Sequence, residues 1–403
     1  MRKVALALTV VLGLVQADWV CIGPFGGSLY SGAISASNPD VIYLSPKSYP
    51  TPLLKSTDAG ANWVQTAQLG YFCFGMAVHP TDPNTVIAAT GALYKTTNGG
   101  TNWTYLSVPG GSYAQCVAFN PLDPQKVIAA GYDYTGTPHF GIYRSSNGGT
   151  SWDTVGLDTM WYSMGYSVCY DPIDPNVVYA GGYNGQPTIV FKSLDGGASW
   201  AKESTGFNGY YCYALHCSPL NHNIVLAASY YQGILRSTDA GITWTRVATY
   251  SPVYAFTAVP GQENIIYAGA DNALYISRDT GLTWQPVTTM PTGVWGRTVL
   301  TTGGPAPNVY FGSKAGFFVS TDQGSNWTPL IDDEPFAKVQ TLSIAAADPN
   351  GVWIEYKDDG VYKSPDNGAS WSRCTDFLSC GNICSIVTDP RDPQVAWALE
   401  GSG

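Results

Sequence analysis

Short stretches with alternating apolar and polar side chains recur along the whole chain. Examples are LYKT (93–96), IYRS (142–145), VFKS (190–193) and VYKS (361–364). This period of two is typical of a β-strand with one buried face. Each stretch runs into a polar segment that carries aspartate or asparagine, then glycine, and ends in tryptophan. Because these polar residues favour tight turns, each site predicts a β-hairpin.

The turn segments, which we call boxes, occur eight times, and their tryptophans lie 40 to 49 residues apart. That period is the length of a four-stranded propeller blade. The boxes are STDAGANW (56–63), TTNGGTNW (96–103), SSNGGTSW (145–152), SLDGGASW (193–200), STDAGITW (237–244), SRDTGLTW (277–284), STDQGSNW (320–327) and SPDNGASW (364–371).

Each residue type in the box has a mechanical role. The third residue accepts hydrogen bonds from nearby backbone amides, the glycine takes a positive φ, and the tryptophan begins the next strand and fills space between sheets. Since asparagine replaces aspartate twice, the turn requires an acceptor and not a charge, which argues against a row of metal or catalytic sites. The structural residues are Asp58, Asn98, Asn147, Asp195, Asp239, Asp279, Asp322 and Asp366, with Trp63, Trp103, Trp152, Trp200, Trp244, Trp284, Trp327 and Trp371.

A second, proline-rich pattern precedes an apolar stretch in most repeats, as in HPTDPNTVIAA (79–89) and DPIDPNVVYAG (171–181). Proline cannot sit in a central ladder, so it marks a turn between two strands. A blade therefore has an inner strand A, a proline-rich turn, strand B, a loop, strand C, the box and an outer strand D. The antiparallel order sends the A–B turns and boxes to one face, the box face. The B–C loops and D–A connections lie on the opposite loop face.

The S/T-x-D-x-G-x-x-W pattern resembles the Asp-box, or bacterial neuraminidase repeat, of sialidases, sortilin-type receptors and xyloglucan-cleaving hydrolases. The resemblance covers nearly all of the chain after residue 17. It implies an all-β propeller of about eight four-stranded blades with an Asp-box in each C–D hairpin. Residues 383–403 supply only an A and a B strand. Either the chain ends pair to close the ring, with DWVCIG (18–23) as a lone outer strand, or the chain is a fragment with an incomplete extra blade.

Residues 1–17, MRKVALALTVVLGLVQA, predict a cleaved secretory signal. Two basic residues precede an apolar run too short to span a bilayer of about 30 Å, and small residues stand at the cleavage site. Residues 18–403 then form one exported propeller domain without a membrane span. We expect it to be secreted or bound at the cell surface, and to be monomeric.

Composition removes several classes of function. Only 12% of residues are charged, the formal net charge is −10, and no cluster of lysine and arginine is visible, so nucleic acid is not an expected partner. The four histidines do not have the spacing of metal ligands, and no cofactor-binding motif occurs. We therefore expect no bound metal ion and no cofactor. Some cysteines lie in apolar strands and are either bridged or buried thiols, while the others favour disulfides near the chain ends. The first group is Cys73, Cys116, Cys169, Cys212 and Cys217, and the second is Cys21, Cys374, Cys380 and Cys384.

The segments expected on the loop face are rich in aromatic residues, as in GLDTMWYSMGY (156–166), GFNGYYCY (206–213) and YSPVYAF (250–256). Tyrosine and tryptophan offer a flat apolar face with a polar rim, which suits stacking on sugar rings. The alternative is that these rings only fill the funnel between blades. The predicted ligand-binding residues are Tyr134, Trp161, Tyr162, Tyr210, Tyr211, Tyr254, Trp295 and Arg297.

Two enzyme classes follow from the resemblance. Sialidases imply three arginines around a substrate carboxylate, and only Arg297 is expected near the centre, so this chemistry is not expected. Xyloglucan-cleaving hydrolases imply two loop carboxylates, but the stretch 43–56 lacks the early acid of those enzymes. The weak catalytic candidates are Asp133, Asp158, Asp332 and Glu334. Asp333 and Asp376 are further acids expected on the loop face.

The sequence therefore predicts a secreted or cell-surface binding module whose ligand is a glycan or a protein or peptide. The alternative is a glycoside hydrolase that acts on polysaccharide through a pair of loop carboxylates.

Overall fold

The computed structural model describes most of the chain between residues 29 and 400. The described ranges are 29–46, 51–108, 113–133, 139–156, 164–183, 190–203, 211–250, 252–270, 273–289, 298–304, 306–313, 316–329, 339–345, 348–356, 360–365, 372–373, 383–388 and 396–400. Regular structure in these ranges consists of β-strands. They include no helix with the length and hydropathy needed to cross a membrane.

Eight four-stranded antiparallel sheets follow one another along the chain, and each consists of four consecutive strands paired in order. Blade 1 comprises β1 Leu29–Ile34, β2 Ile42–Pro46, β3 Thr51–Ser56 and β4 Val64–Leu69. Blade 2 comprises β5 Gly75–His79, β6 Asp82–Thr90, β7 Ala92–Thr96 and β8 Thr104–Leu106. Blade 3 comprises β9 Tyr113–Phe119, β10 Val127–Asp133, β11 His139–Ser145 and β12 Asp153–Gly156. Blade 4 comprises β13 Met164–Tyr170, β14 Val178–Tyr183, β15 Val190–Ser193 and β16 Ala201–Glu203.

The remaining strands continue the same pattern until the last pair. Blade 5 comprises β17 Cys212–Cys217, β18 Val225–Ser229, β19 Gly233–Ser237 and β20 Thr245–Ala248. Blade 6 comprises β21 Val253–Val259, β22 Gln262–Ala270, β23 Ala273–Ser277 and β24 Gln285–Pro286. Blade 7 comprises β25 Thr298–Thr301, β26 Val309–Ser313, β27 Gly316–Ser320 and β28 Thr328–Pro329. The eighth sheet comprises β29 Val339–Ala345, β30 Asp348–Tyr356, β31 Gly360–Ser364 and β32 Ser372–Arg373, followed by the pair β33 Ile383–Thr388 and β34 Ala396–Glu400.

The first seven sheets close into a ring, so the prediction of about eight blades is wrong. Each inner strand lies against those of its two neighbours, and β25 of blade 7 lies against β1 of blade 1. The Tyr310 hydroxyl of blade 7 donates a hydrogen bond to the Ala59 carbonyl of blade 1 at 3.2 Å. The eighth sheet packs instead against the β33–β34 pair. The spacing of the boxes gives the number of hairpins along the chain. It does not give the angle between neighbouring sheets, and this angle decides after how many sheets the ring closes.

The first box illustrates the local hydrogen bonding. The Ser56 hydroxyl accepts the amide of Gly60 at 2.8 Å, and the Asp58 carboxylate accepts the amide of Asn62 at 2.8 Å. The Trp63 indole donates to the Gly60 carbonyl at 2.9 Å. Ala59 and Gly60 have φ values of 56° and 91°, which lie in the left-handed region. Gly60 is the fifth residue of the box, and this position is glycine in every box because glycine adopts a positive φ without steric cost. Asp366 and Trp371 of the last box lie outside the described residues.

In most boxes, a main-chain carbonyl group accepts a hydrogen bond from a side chain of the preceding blade. The side chains of Lys95, Arg144 and Arg236, in the third strands of blades 2, 3 and 5, donate to box carbonyls of the next blade at 2.7, 3.1 and 3.1 Å. In blade 6, Tyr267 makes the corresponding bond to the Gln323 carbonyl at 3.3 Å. Lys95, Tyr267 and the two arginines therefore stabilise contacts between neighbouring blades.

The A–B turns and the boxes lie on the same face, as the antiparallel order requires. The box amide of Gly99 donates to the Asn84 carbonyl in the A–B turn of its own blade at 2.9 Å, and Gly196 donates to Asn176 at 2.8 Å. Every inner strand runs toward its A–B turn, so it begins on the opposite, loop face. Residues at the start of the inner strands therefore surround the loop-face end of the central channel.

Five cysteines of the described part are free thiols; Cys73 lies just before β5, and the other four lie in strands. Burial raises the pKa of the Cys73 thiol to about 11 and that of Cys116 and Cys212 to about 12. Cys169 and Cys217 are the other two free thiols. The remaining four cysteines lie outside the described residues. Thiols of such high pKa carry little thiolate near neutral pH and are poor nucleophiles.

Candidate functional site

A cavity of about 310 Å³ lies at the loop-face end of the central channel, and we call it the channel mouth. Residues from six blades line it because inner strands converge there. Tyr213 and Tyr254 are the second residues of β17 and β21, which places them at the start of their strands. The lining residues are Tyr30, Phe74, Gln115, Met164, Tyr166, Tyr213 and Tyr254.

Tyrosine rings form a continuous array along one side of the channel mouth. Tyr213 lies 5.2 Å from Tyr166 of blade 4 and 5.2 Å from Tyr254 of blade 6, measured between ring centroids. Tyr211 stacks parallel to Tyr213 at 5.6 Å and on Tyr183 at 4.6 Å. Tyr211 and Tyr213 share a side because alternate residues of an extended strand point the same way. Together these rings provide a stacking surface across blades 4 to 6.

A second group of rings lies on the side of blades 1 to 3. Tyr30 packs edge-on against Phe74 at 5.3 Å and stacks on Phe72 at 6.0 Å. Tyr71 packs edge-on against Tyr113 of blade 3 at 5.5 Å. The channel mouth is thus bounded by aromatic side chains on both sides.

The described polar groups that line the channel mouth are uncharged. The hydroxyls of Tyr132 and Tyr166 both donate to the thioether of Met164, a weak acceptor. Burial, followed by the proximity of Tyr132, raises the pKa of Tyr166 far above its ordinary value, and burial also raises that of Tyr211. The Tyr166 and Tyr211 hydroxyls therefore remain protonated near pH 7, and that of Tyr166 can still accept a hydrogen bond. With the Gln115 amide, they suit an uncharged ligand that has hydroxyl groups and apolar faces.

The carboxylates whose side chains are described are concentrated on the box face of the ring. Among the acids whose side chains the structure describes, all but Asp153 lie in boxes or near A–B turns. Asp133 ends β10 on the loop face, but its side chain is outside the described part. Asp158, Asp332, Asp333, Glu334 and Asp376 lie outside it entirely. In the portion described, the structure brings no pair of the proposed catalytic carboxylates together, and it contains no cluster of potential metal ligands.

Two of the predicted ligand-binding residues belong to the tyrosine array. Tyr254 lines the channel mouth. Tyr211 stacks on Tyr213, which is itself a lining residue. Tyr166 and Tyr213 stand in the aromatic segments of the sequence but were not among the predicted residues. Tyr30, Phe74, Gln115 and Met164 were missed, although each stands at or beside the start of an inner strand, the signal that would have found them. Tyr134, Trp161, Tyr162, Tyr210, Trp295 and Arg297 lie outside the described residues.

Acidification is expected to weaken the ring through its boxes. Hydrogen bonds from Ser199 and from Thr243 lower the pKa of Asp195 and Asp239 to about 2, and the Asn326 amide does the same for Asp322. A depressed pKa contributes stability that is present above the unfolded value of about 3.9 and is lost as pH falls through about 2. We expect the unfolding midpoint in urea to fall between pH 4 and pH 2 for this reason.

The control is a triple Asp→Asn variant at these three boxes, since asparagine already occupies the position in two others. It should lose less stability over that pH interval than the unmodified protein. Identical pH dependence in the two proteins would contradict the assignment.

Comparison with known proteins relates this chain to two groups. The sequence model of the sortilin Vps10 family, described as sortilin, neurotensin receptor 3, matches residues 51–178. A xyloglucanase of Paenibacillus sp is 25% identical over 404 residues, which cover 83% of this chain and 35% of that enzyme. A xyloglucanase of Hypocrea jecorina is 29% identical over 244 residues, covering 55% of this chain and 27% of the enzyme. This chain thus spans about a third or less of the curated relatives it matches.

Solved structures confirm the fold class. An ancestral GH74 enzyme superimposes with a TM-score of 0.73 at 21% identity, covering 96% of this chain and 60% of that one. The structure of YCF48 bound to D1 peptide superimposes with a TM-score of 0.52 at 14% identity, covering 74% and 95%. The predicted resemblance to sortilin-type and xyloglucanase-like propellers is confirmed.

Proposed function

We propose that this protein is an exported polysaccharide-binding propeller of the xyloglucanase type, and that it binds a neutral glycan at the channel mouth. The observation that carries the proposal is the uncharged, tyrosine-lined cavity on the loop face. Flat rings stack on the apolar faces of sugars, and neutral hydroxyl and amide groups bond their hydroxyls. The curated relatives named as xyloglucanases support a neutral polysaccharide as the ligand. Export rests on residues 1–17.

The Tyr254 ring is expected to carry a large share of the binding. We expect Tyr254→Ala to weaken binding of soluble xyloglucan about tenfold, because the stacking surface loses one ring of the array. Affinity electrophoresis in gels with and without the polysaccharide measures this directly. Leu282→Ala, which truncates an exposed side chain in a box on the opposite face, is the control and should bind normally. Normal retardation of the Tyr254 variant would contradict the proposal.

Hydrolysis of the same polysaccharide is the second candidate function, and the xyloglucanase relatives favour it. Glycoside hydrolases need two carboxylates about 5 to 10 Å apart across the bound chain. Asp133 is the candidate that the described backbone places at the loop-face end of a strand. A reducing-end assay separates the two functions. Release of sugar ends that Asp133→Asn abolishes while binding persists would establish hydrolysis, and binding without release supports the binding module.

A further inference from the structure

A second cavity of about 750 Å³ lies at the outer edge of the ring between blades 2 and 3, and we call it the edge groove. Its size falls in the range of sites for small ligands. It is formed by the outer strand of blade 2 and the boxes of blades 2 and 3. The lining residues on which the argument depends are Lys95, Asn102 and Tyr105.

The edge groove contains an exposed but fixed aromatic ring. Tyr105 in β8 is 61% exposed, and Tyr94 packs against it edge-on at 5.7 Å. A ring held in this way loses little conformational freedom when a ligand stacks on it. The corresponding outer-strand residues of the other six blades are not aromatic. They are Gln65, Thr154, Lys202, Arg246, Pro286 and Pro329.

Beside this ring, the Asn102 side chain is available for a ligand. In the first and seventh boxes, the equivalent Asn62 and Asn326 amides donate to the box carboxylates at 2.6 and 2.7 Å. Asn98 replaces the carboxylate in the second box. Of the two amides of Asn102, the backbone one alone donates to the Asn98 side chain, at 3.0 Å. Within the described part of the chain, the Asn102 side-chain amide makes no hydrogen bond. It therefore offers one donor group and one acceptor to the groove.

The described lining of the groove contains one cationic group and no anionic group. Its one charged lining residue is Lys95, whose ammonium group donates to the Gly148 carbonyl of blade 3 at 2.7 Å. Burial also lowers the pKa of Lys95. The remaining polar groups are amides and hydroxyls.

We propose that the edge groove is a second saccharide-binding site, in which Tyr105 stacks on a sugar ring and Asn102 bonds its hydroxyl groups. The ligand class is a neutral oligosaccharide, such as one segment of a polysaccharide chain. This site is separate from the channel mouth, and it rests on the proposed function only for the choice of probe.

Calorimetric titration with a defined xyloglucan oligosaccharide tests the proposal. We expect two sites per chain in the unmodified protein and one in Tyr105→Ala. Tyr254→Ala should keep both sites with one of them about tenfold weaker, and the double variant should keep only that weakened site. Tyr105→Phe should keep the second site, because the ring remains. Asn102→Ser should weaken that site several-fold while the box stays folded, since serine holds this position in three other boxes. Lys202→Ala, at the equivalent outer-strand position of blade 4, is the matched control.

The outcomes separate this proposal from the proposed function. Loss of one site in Tyr105→Ala supports the edge groove, even if Tyr254→Ala has no effect and the channel mouth fails as a binding site. Unchanged stoichiometry and affinity in Tyr105→Ala overturn the edge groove, even if Tyr254→Ala abolishes binding. No binding by the unmodified protein overturns both.

Discussion

Phe317→Ala is expected to lower the free energy of unfolding by about 3 to 5 kcal/mol, the usual cost of removing a buried phenylalanine ring. Phe317 in β27 is 1% exposed and lies where blade 7 meets blade 1. Its ring packs edge-on against Trp63 of blade 1 at 5.8 Å and stacks on Tyr310 at 5.7 Å. Removing it opens a cavity at the closure of the ring. Urea unfolding followed by tryptophan fluorescence measures the loss.

Two further variants make this result specific. Leu282→Ala truncates a side chain that is 53% exposed and should change stability by less than about 0.5 kcal/mol. Phe140→Ala removes an equally buried ring between blades 3 and 4, where it packs against Phe191 at 5.3 Å. Both phenylalanine variants should lose stability, but only Phe317→Ala should speed amide exchange in blades 1 and 7 first. A loss below about 1 kcal/mol for Phe317→Ala would show that the ring does not close there.

The second large effect is expected for Gly182→Ala, which should cost about 3 kcal/mol and weaken ligand binding at the channel mouth. A Cβ atom at Gly182 would lie 2.0 Å from the Met164 carbonyl oxygen and 2.1 Å from the Phe140 ring. Relief requires β13 and β14 to separate, because one of the obstructing atoms is backbone. That movement would displace Met164, which lines the channel mouth.

Gly70→Ala is the matched control, since a Cβ atom there would have no neighbour within 4 Å. It should leave both stability and binding unchanged. Thermal unfolding and xyloglucan titration of the two variants provide the comparison. A Gly182→Ala protein with normal stability would show that blades 3 and 4 are packed less tightly than the structure has them.

The strands and turns were predictable from sequence because they depend on local chemistry. The alternating stretch before each box and the glycine within it are sufficient to specify a hairpin, and the order of hairpins fixes which turns share a face. The number of blades in the ring was not predictable in this way. It depends on the volume of side chains between sheets, such as Phe317 against Trp63, and these two residues lie at opposite ends of the ring sequence.

The channel mouth was predicted in part for a similar reason. Tyr211 and Tyr254 stand in aromatic segments that lead into inner strands, so their composition marked them. Gln115 and Met164 are not aromatic, and Tyr30 stands outside the aromatic segments, so aromatic composition did not mark them. Only the convergence of inner strands from different blades brings these three side chains to one cavity. A search for the first residues of each inner strand would have included Tyr30 and Met164.

Most of the hydrogen bonds between a box and the blade before it are directed at main-chain carbonyl groups, and lysine, arginine and tyrosine all serve as donors. A joint that recognises backbone does not require a matching side chain on the other partner. A duplicated repeat would therefore keep these bonds whatever side chains its neighbour carries in its box. Only the apolar packing between the sheets, such as Phe140 against Phe191, would still have to match.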